Sequence, residues 1–364
     1  MSNNIESGLK IGLSLSGGGF RASVFHVGVL KGLAERELLS NIKAVSTVSG
    51  GSFTIALIFM LNNNEWPNDQ EFLNDVLPRI KKYFTEIKLG RNAVARLFSP
   101  LNWSNLFSRA NIISKSLKSD WGLTGCLSEL PEHPEWYINA TTIETGKNWR
   151  FSKKEMGDWK FGYVKNPKYN ISDAVAASAA FPGYIGRFSF QADDYKEWCD
   201  IDWESKTLKK KNTPIDFDLL HLSDGGVYNN LGEEAFIETL GEKLIDDINY
   251  VVVSDATQQL KIEGSKSTLR PIKRALRLVD ITMEQIKLLR VRSIHNLFDR
   301  GDKLGLYIQL GQYSNELENQ FDLVRIKNKK TTLFSMSSNE YDELVDYGRK
   351  VTSLGIEKWY LNNT

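Results

Sequence analysis

Two cysteines in 364 residues, Cys126 and Cys199, are too few and too far apart for a disulfide framework or a thiolate metal site. That scarcity fits a reducing, cytoplasmic setting. A charge surplus is also missing, since 46 Lys and Arg against 45 Asp and Glu leave +1, so the overall balance does not call for nucleic acid. The longest apolar run near the front, Phe53 to Leu61, is too short to span a bilayer. Any membrane contact is therefore expected to be transient and peripheral. The polar stretch Met1 to Ser7 lacks the apolar segment of a secretory signal, so the protein is expected to stay where it is made. Histidines number only four, which limits mechanisms that need one beside a nucleophile. No repeat, low-complexity segment or forced linker appears, and a 41% apolar composition can bury a large core.

What is present begins with alternating residues from Leu9 to Leu15, followed by Ser16-Gly17-Gly18-Gly19-Phe20-Arg21. Val24, Val27, Leu30 and Leu33 then mark a helix over Ala22 to Glu35, and Ile42 to Val48 reads as a second strand. Strand, helix, strand makes a parallel, right-handed crossover. After Val48 the chain passes Ser49-Gly50-Gly51 and enters a helix that is apolar on nearly every side, hence buried. Ser49 has two readings: a nucleophile on a strand–turn–helix elbow, or an ordinary helix N-cap.

Residues Asp75 to Leu123 are helical in pattern, with Phe98, Leu101, Trp103, Leu106, Phe107, Ile112 and Ile113 expected to form an extra layer on the core, and a cap over an apolar pocket or a surface that meets lipid as the alternative. Trp136 to Thr141 reads as a core strand, and Arg150-Phe151 as the return of a hairpin. Ser172 can cap an alanine-rich helix that Pro182 helps to end, and Asp173 in its first turn suits the helix dipole rather than catalysis. Gln191 to Asp218 is charged and reads as a solvated excursion. Leu219 to Ser223 is a short strand ending at Asp224-Gly225-Gly226, with a helix expected from Glu233. Tyr250 to Asp255 is a buried parallel strand by composition. Arg270 to Phe298 reads as one long basic helix, expected to be a solvated face, with contact to an anionic membrane or phosphate as the alternative. A late strand, Gly305 to Leu310, and a helix from Ser338 to Trp359 close the chain.

Three loops thus follow three strands, and if those strands are parallel the loops meet at one sheet edge. Each loop has a part in acyl transfer. A serine hydroxyl needs a neighbouring base, for which Asp224 is the candidate once a partly desolvated site strengthens it. The amides of Gly17, Gly18 and Gly19 can donate to an oxyanion, at about 3–4 kcal/mol of transition-state stabilisation each. Arg21 either adds positive potential or anchors the loop. A Ser-His-Asp triad is the rival, yet only His295 follows the aspartate in the chain order of an α/β-hydrolase. The glycine loop also lacks the Gly-Lys-Ser/Thr ending of a phosphate-binding loop.

These residues resemble the patatin-like phospholipase family, through Gly17-Gly18-Gly19-Phe20-Arg21, Thr47-Val48-Ser49-Gly50-Gly51, Asp224-Gly225-Gly226 and the segment ending Ala180-Phe181-Pro182. The resemblance implies a three-layer α/β/α sandwich with a mainly parallel sheet. It covers roughly Gly12 to Gly232 and implies a catalytic domain over residues 8–260 with a helical insertion at about 62–130; it says little of residues 261–364, whose own pattern reads as a helical extension with a late strand, packed on the same domain. It further implies hydrolysis of acyl esters of phospholipids or related lipids by a dyad of Ser49 and Asp224. Gly17 to Gly19 would form the oxyanion hole, with Arg21, Gly50, Gly51, Gly225 and Gly226 in support and no metal or organic cofactor. A catalytically silent lipid-binding or regulatory module of the same fold is the alternative. One departure stands out: Thr47 occupies the position of the first elbow glycine.

Overall fold

The computed structural model describes residues 8–100, 108–202, 204–205, 207–211, 217–238, 243–245, 247–258, 260, 271–299 and 304–361. Strand β1 (Ile11–Leu15) turns Ile11, Leu13 and Leu15 to one face, and helix α1 (Gly19–Ala34) crosses back to β2 (Ile42–Val48), parallel to β1. Helix α2 (Gly50–Leu61) is buried along its length except at Met60. Helices α3 (Leu77–Thr85), α4 (Leu89–Leu97) and α5 (Arg109–Ser116) lay Ile80, Phe84, Leu89 and Ile112 on the same core. Phe98, expected in that layer, is instead 80% exposed, and Leu101, Trp103, Leu106 and Phe107 lie outside the described residues.

Strand β3 (Glu135–Thr142) joins β2 in parallel, and β4 (Asn148–Phe151), β5 (Glu155–Asp158) and β6 (Gly162–Lys165) continue as an antiparallel meander. Helix α6 (Ile171–Ser178) has Asn170 at its N-cap rather than Ser172, whose hydroxyl is buried without a partner. The charged stretch read as an excursion instead carries sheet: β7 (Phe188–Gln191) ends in it, and β8 (Trp198–Asp202) and β9 (Thr207–Lys210) extend the meander past β6. Its charges pair within the hairpin, Lys209 with Asp202 and Lys211 with Asp200 at 3.0 Å, so a polar sequence builds an exposed ribbon.

Strand β10 (Leu219–Asp224) leads into the short α7 (Gly226–Asn229), and the helix expected from Glu233 is a single 3-10 turn, Glu233–Ala235. Strand β11 (Tyr250–Asp255) lies parallel on the far side of β1. Helix α8 (Pro271–Phe298) then leads to β12 (Gly305–Gln309), parallel to β11, and α9 (Ser338–Leu361) closes the fold. Among the described residues the sheet order is β12-β11-β1-β2-β3-β4-β5-β6-β8-β9.

One face of the parallel half packs on α1, α2 and α9. The other buries Val251, Val253 and Ala44 beneath Leu231, Phe236, Ile294 and Leu297. The result is a three-layer α/β/α sandwich with C-terminal helices. Helix α9 approaches α1 so closely that a Cβ at Gly32 would stand 2.7 Å from the Thr352 side chain. Among the described residues, no helix is long and apolar enough to cross a membrane.

The sequence reading assumed that all three loop-bearing strands are parallel, but β10 is not. It pairs antiparallel with β3, Asp224 opposite Ala140 and Leu222 opposite Thr142. The cause is length: β2 ends at Val48 opposite Asn139, while β3 runs three residues further. Because β4 holds the other side of β3, β10 enters the lane β2 has vacated and runs toward it. The two strands meet head to head, Ser49 leaving one as Asp224 ends the other.

Candidate active site

Ser49 sits at φ +47° and ψ −105°, a conformation a side chain rarely adopts and one that costs on the order of 1–3 kcal/mol. It does not cap its helix through its side chain, so the N-cap reading fails. Contacts around it hold the strain. The Ser49 amide donates to Ser178 Oγ at 2.9 Å, and the Gly51 amide donates to the Ser16 carbonyl at 3.2 Å. A Cβ at Gly50 would lie 2.6 Å from the Gly19 carbonyl oxygen, and one at Gly51 2.5 Å from that of Leu15. Glycine at both positions lets the start of α2 press against the glycine loop.

Thr47 fits because its side chain is fully buried and fully used. Its hydroxyl accepts from Trp136 Nε1 at 2.9 Å, lies 2.9 Å from Ser52 Oγ and reaches the Tyr137 carbonyl at 3.4 Å. Ser52 Oγ is in turn 3.0 Å from Ser178 Oγ. One order of donation satisfies every member: the Ser49 amide to Ser178, Ser178 to Ser52, Ser52 to Thr47, and Thr47 to the Tyr137 carbonyl. A chain of buried hydroxyls therefore braces the elbow where a first glycine is usual.

The glycine loop bends through φ +140° at Gly18 and +59° at Gly19. A Cβ at Gly17 would come within 3.3 Å of the Ser49 Cβ, so the loop runs beside the serine. The Gly17 amide donates to the Asn230 carbonyl at 3.1 Å. Among the described residues, the Gly18, Gly19 and Gly50 amides have no acceptor. The sequence reading gave all three loop amides to an oxyanion and Gly50 a supporting place; the Gly17 amide is already engaged by Asn230, and the Gly50 amide stands with those of Gly18 and Gly19.

Arg21 is buried and donates to the carbonyls of Ala256, at 2.7 Å, and Lys329, at 3.1 Å. Burial pulls its pKa down to about 10, with nearby Asp255 pulling the other way. It anchors the loop to the end of β11. His26 braces the same loop: its Nε2 donates to the Ser16 carbonyl at 2.9 Å, so Nδ1 accepts from Ser254 Oγ at 2.8 Å. Burial lowers its pKa to about 4, and it is neutral.

Asp224 is 3% exposed. Its carboxylate accepts from the Gly226 amide at 2.7 Å, and the Ser49 side chain is close enough to act on its charge as a second donor. Desolvation lifts its pKa from 3.8 to about 7 against the pull of those two donors. The backbone on either side is fixed: the Asp224 amide donates to the Ala180 carbonyl at 3.0 Å, Thr141 Oγ1 donates to the Asp224 carbonyl at 2.8 Å, and the Gly225 amide donates to the Ser178 carbonyl at 3.2 Å. A Cβ at Gly225 would strike the Asn139 carbonyl, and one at Gly226 the Asn230 side chain.

Ser178 thus holds both arms of the site, the serine turn through its side chain and the aspartate turn through its carbonyl. Sequence reasoning missed it, although a lone serine closing an alanine-rich helix was a signal. Asn230, wedged between the Gly17 and Gly226 turns, was missed too.

The other histidines are engaged or remote. His221 Nδ1 lies 2.6 Å from Glu144, His295 packs at a tilt against Tyr307 with ring centroids 5.1 Å apart, and His133 is exposed in the loop before β3. Asp173 is held by Ser114, Lys118 and Asn170 in the first turn of α6.

No curated protein matches the chain by sequence. Among solved structures, human GIVD cytosolic phospholipase A2 in complex with methyl gamma-linolenyl fluorophosphonate aligns with a TM-score of 0.54 and 15% identity. That alignment covers 98% of this chain and 59% of the human one. The same human enzyme without the inhibitor aligns at 0.52 and 15% identity, over 97% of this chain and 59% of the other. VipD from Legionella pneumophila aligns at 0.42 and 15% identity, over 96% of this chain and 66% of the other. This chain therefore spans about three fifths of the human protein's length, and the likeness is one of fold. A sequence model described as patatin-like phospholipase matches residues 13–237, well over half of the chain and from the first strand past the Asp224 turn. The chain belongs to the patatin-like phospholipase family of ester hydrolases.

Proposed function

We propose that this protein is a lipid acyl hydrolase of phospholipase A type, with Ser49 as nucleophile and Asp224 as its base. The observation that carries the reading is the strained Ser49 turn at the end of β2 meeting, head to head, a buried carboxylate at the end of β10 whose pKa is pushed up to about 7. An ordinary aspartate is too weak a base at neutral pH, and this one is strengthened by desolvation alone.

In the first step Ser49 Oγ bonds to the ester carbonyl carbon while its proton passes to Asp224. The carbonyl oxygen takes the electron pair and is held by the free Gly18, Gly19 and Gly50 amides. As the tetrahedral intermediate collapses, the bond to the leaving oxygen breaks and Asp224 returns the proton to it, releasing the lysolipid or alcohol. Water then attacks the acyl-enzyme with Asp224 again as base, the Ser49 oxygen recovers a proton, and the fatty acid leaves. Arg21, Gly51, Gly225, Gly226 and Ser178 hold these groups in place.

The test uses a soluble nitrophenyl ester, a phospholipid panel and a fluorophosphonate probe. Wild type is expected to hydrolyse ester and phospholipid and to be labelled at Ser49. Ser49→Ala and Asp224→Asn are expected to lose at least about a thousandfold in kcat while remaining folded. Full turnover in either variant would sink the dyad. Lipid binding without labelling of Ser49 would favour a silent binding module.

A further inference from the structure

Helix α8 is built in two unlike halves. Its C-terminal half is fastened to the domain: Ile294 and Leu297 are buried, Arg290 reaches Glu233 at 2.9 Å and Glu234 at 3.1 Å, and Lys287 is 5% exposed, donating to Thr257 at 3.1 Å. From Pro271 to Ile286 no described side chain is buried. At 100° per residue, Arg274, Leu278, Ile281, Gln285, Leu288, Leu289 and Arg292 form one outward stripe, opposite Met283, Lys287, Arg290 and Ile294. The amphipathic order is inverted. Two cations face the protein while Leu278 (59% exposed), Leu289 (62%), Ile281 and Leu288 (both 38%) face away from it.

Single exposed leucines are ordinary, but four in register along one helix face form an apolar strip that needs a cover. The charges around it say which. Lys273, Arg274 and Arg292 are exposed at its ends and have no ionic partner among the described residues. Glu284, beside the strip, is committed to Lys287 at 2.9 Å. A strip of leucines ended by free cations suits a surface that is apolar below and anionic at its rim.

The helix that bears the strip also touches loops that leave the site. Leu276, on the other side of the helix, packs so closely on Gly183 that a Cβ there would lie 2.7 Å from it, and the adjacent Tyr184 is 76% exposed. That loop leaves α6 just after Ser178, which holds Ser49. Arg290 stacks over Tyr228, four residues after Asp224, with 5.8 Å to the ring centroid.

We propose that the outward stripe of α8 is the surface by which this protein settles on an anionic lipid bilayer. Its aliphatic side chains enter the acyl boundary and Lys273, Arg274 and Arg292 meet lipid phosphates. The purpose of this contact rests on the lipid acyl hydrolase reading; the contact itself does not need Ser49.

The experiment sediments the full-length Ser49→Ala protein with vesicles of phosphatidylcholine alone or mixed with phosphatidylglycerol. Binding to the mixed vesicles is expected to exceed binding to the neutral ones and to weaken with salt. Leu278→Glu with Leu289→Glu should reduce it at least about tenfold. In the otherwise wild-type protein the same pair should lower hydrolysis of vesicle phospholipid similarly and leave kcat/KM on a soluble ester unchanged, which also reports correct folding. Unchanged vesicle binding by the pair would overturn the proposal. So would conversion of a dimer to a monomer by the pair with vesicle binding intact, since the stripe would then be a self-association face. Retained soluble-ester hydrolysis in Ser49→Ala would sink the catalytic reading and leave this one standing.

Discussion

Replacing Asp224 by asparagine is expected to remove activity and, above neutral pH, to stabilise the protein. In the unfolded chain an aspartate ionises near 3.9; in the fold Asp224 keeps its proton to about pH 7 because its charge is desolvated. Below about pH 4 the carboxyl is protonated in both states, and ionisation costs the fold nothing. Between the two values the folded state holds more protons than the unfolded state, so this group's contribution falls as pH rises. Above about pH 7 the fold carries the whole cost, about 4 kcal/mol at ~1.4 kcal/mol per pH unit. Asparagine has the same shape, its amide oxygen still accepts from the Gly226 amide, and it cannot ionise. Urea unfolding should therefore show the variant more stable than wild type by up to about 4 kcal/mol above about pH 8, with the gain shrinking to nothing near about pH 4. In parallel, wild-type kcat/KM on a soluble ester should rise with pH through an inflection near 7, where the free base ionises. A stability gain without pH dependence, or an inflection below about pH 5, would refute the reasoning.

Two further substitutions probe the elbow. Ser178→Ala leaves the buried Ser49 amide without its acceptor, at a cost of about 1–3 kcal/mol placed on the strained turn, and should lower kcat roughly tenfold with KM unchanged; wild-type kcat and labelling rate would count against it. Thr47→Gly restores the usual first glycine but strands Trp136 Nε1 and breaks the hydroxyl chain, so it should lose about 1–3 kcal/mol of stability in urea. An unchanged unfolding midpoint would show that Thr47 is a passive replacement.

The parts of the site legible in the sequence are those whose chemistry is local. Ser49 between a strand and Gly50-Gly51, the triple glycine after β1, and Asp224 before Gly225-Gly226 each announce a turn that few other residues can make. What escaped depends on partners remote in the chain. The direction of β10 is set by how far β3 outruns β2, and six residues of strand carry no mark of it. Ser178 and Asn230 matter through contacts with turns more than a hundred residues away, Ser49 in one case and Gly17 in the other. The hairpin of β8 and β9 was hidden because its charged side chains satisfy one another. For α8 the sequence announced basic charge, whereas burial shows Lys287 and Arg290 turned inward and the leucines outward.

On the proposed reading, the meeting of β2 and β10 in one lane also bears on why an aspartate could serve without a histidine. In a triad the imidazole stands between serine and carboxylate, and the chain must leave room for it. Here β10 ends at the level where β2 ends, so Ser49 and Asp224 leave their strands side by side. A carboxylate beside the nucleophile must itself be basic near neutral pH, and at Asp224 it is desolvation that makes it so, whereas a nearby cation would pull its pKa down. The same closeness supplies the burial: β3, the Ser178 turn and Val48 enclose the aspartate turn, and among the described residues the Gly226 amide donates to its carboxylate. On this argument, a cation engineered within reach of Asp224 would weaken the base it seems to support, lowering both the inflection and the rate.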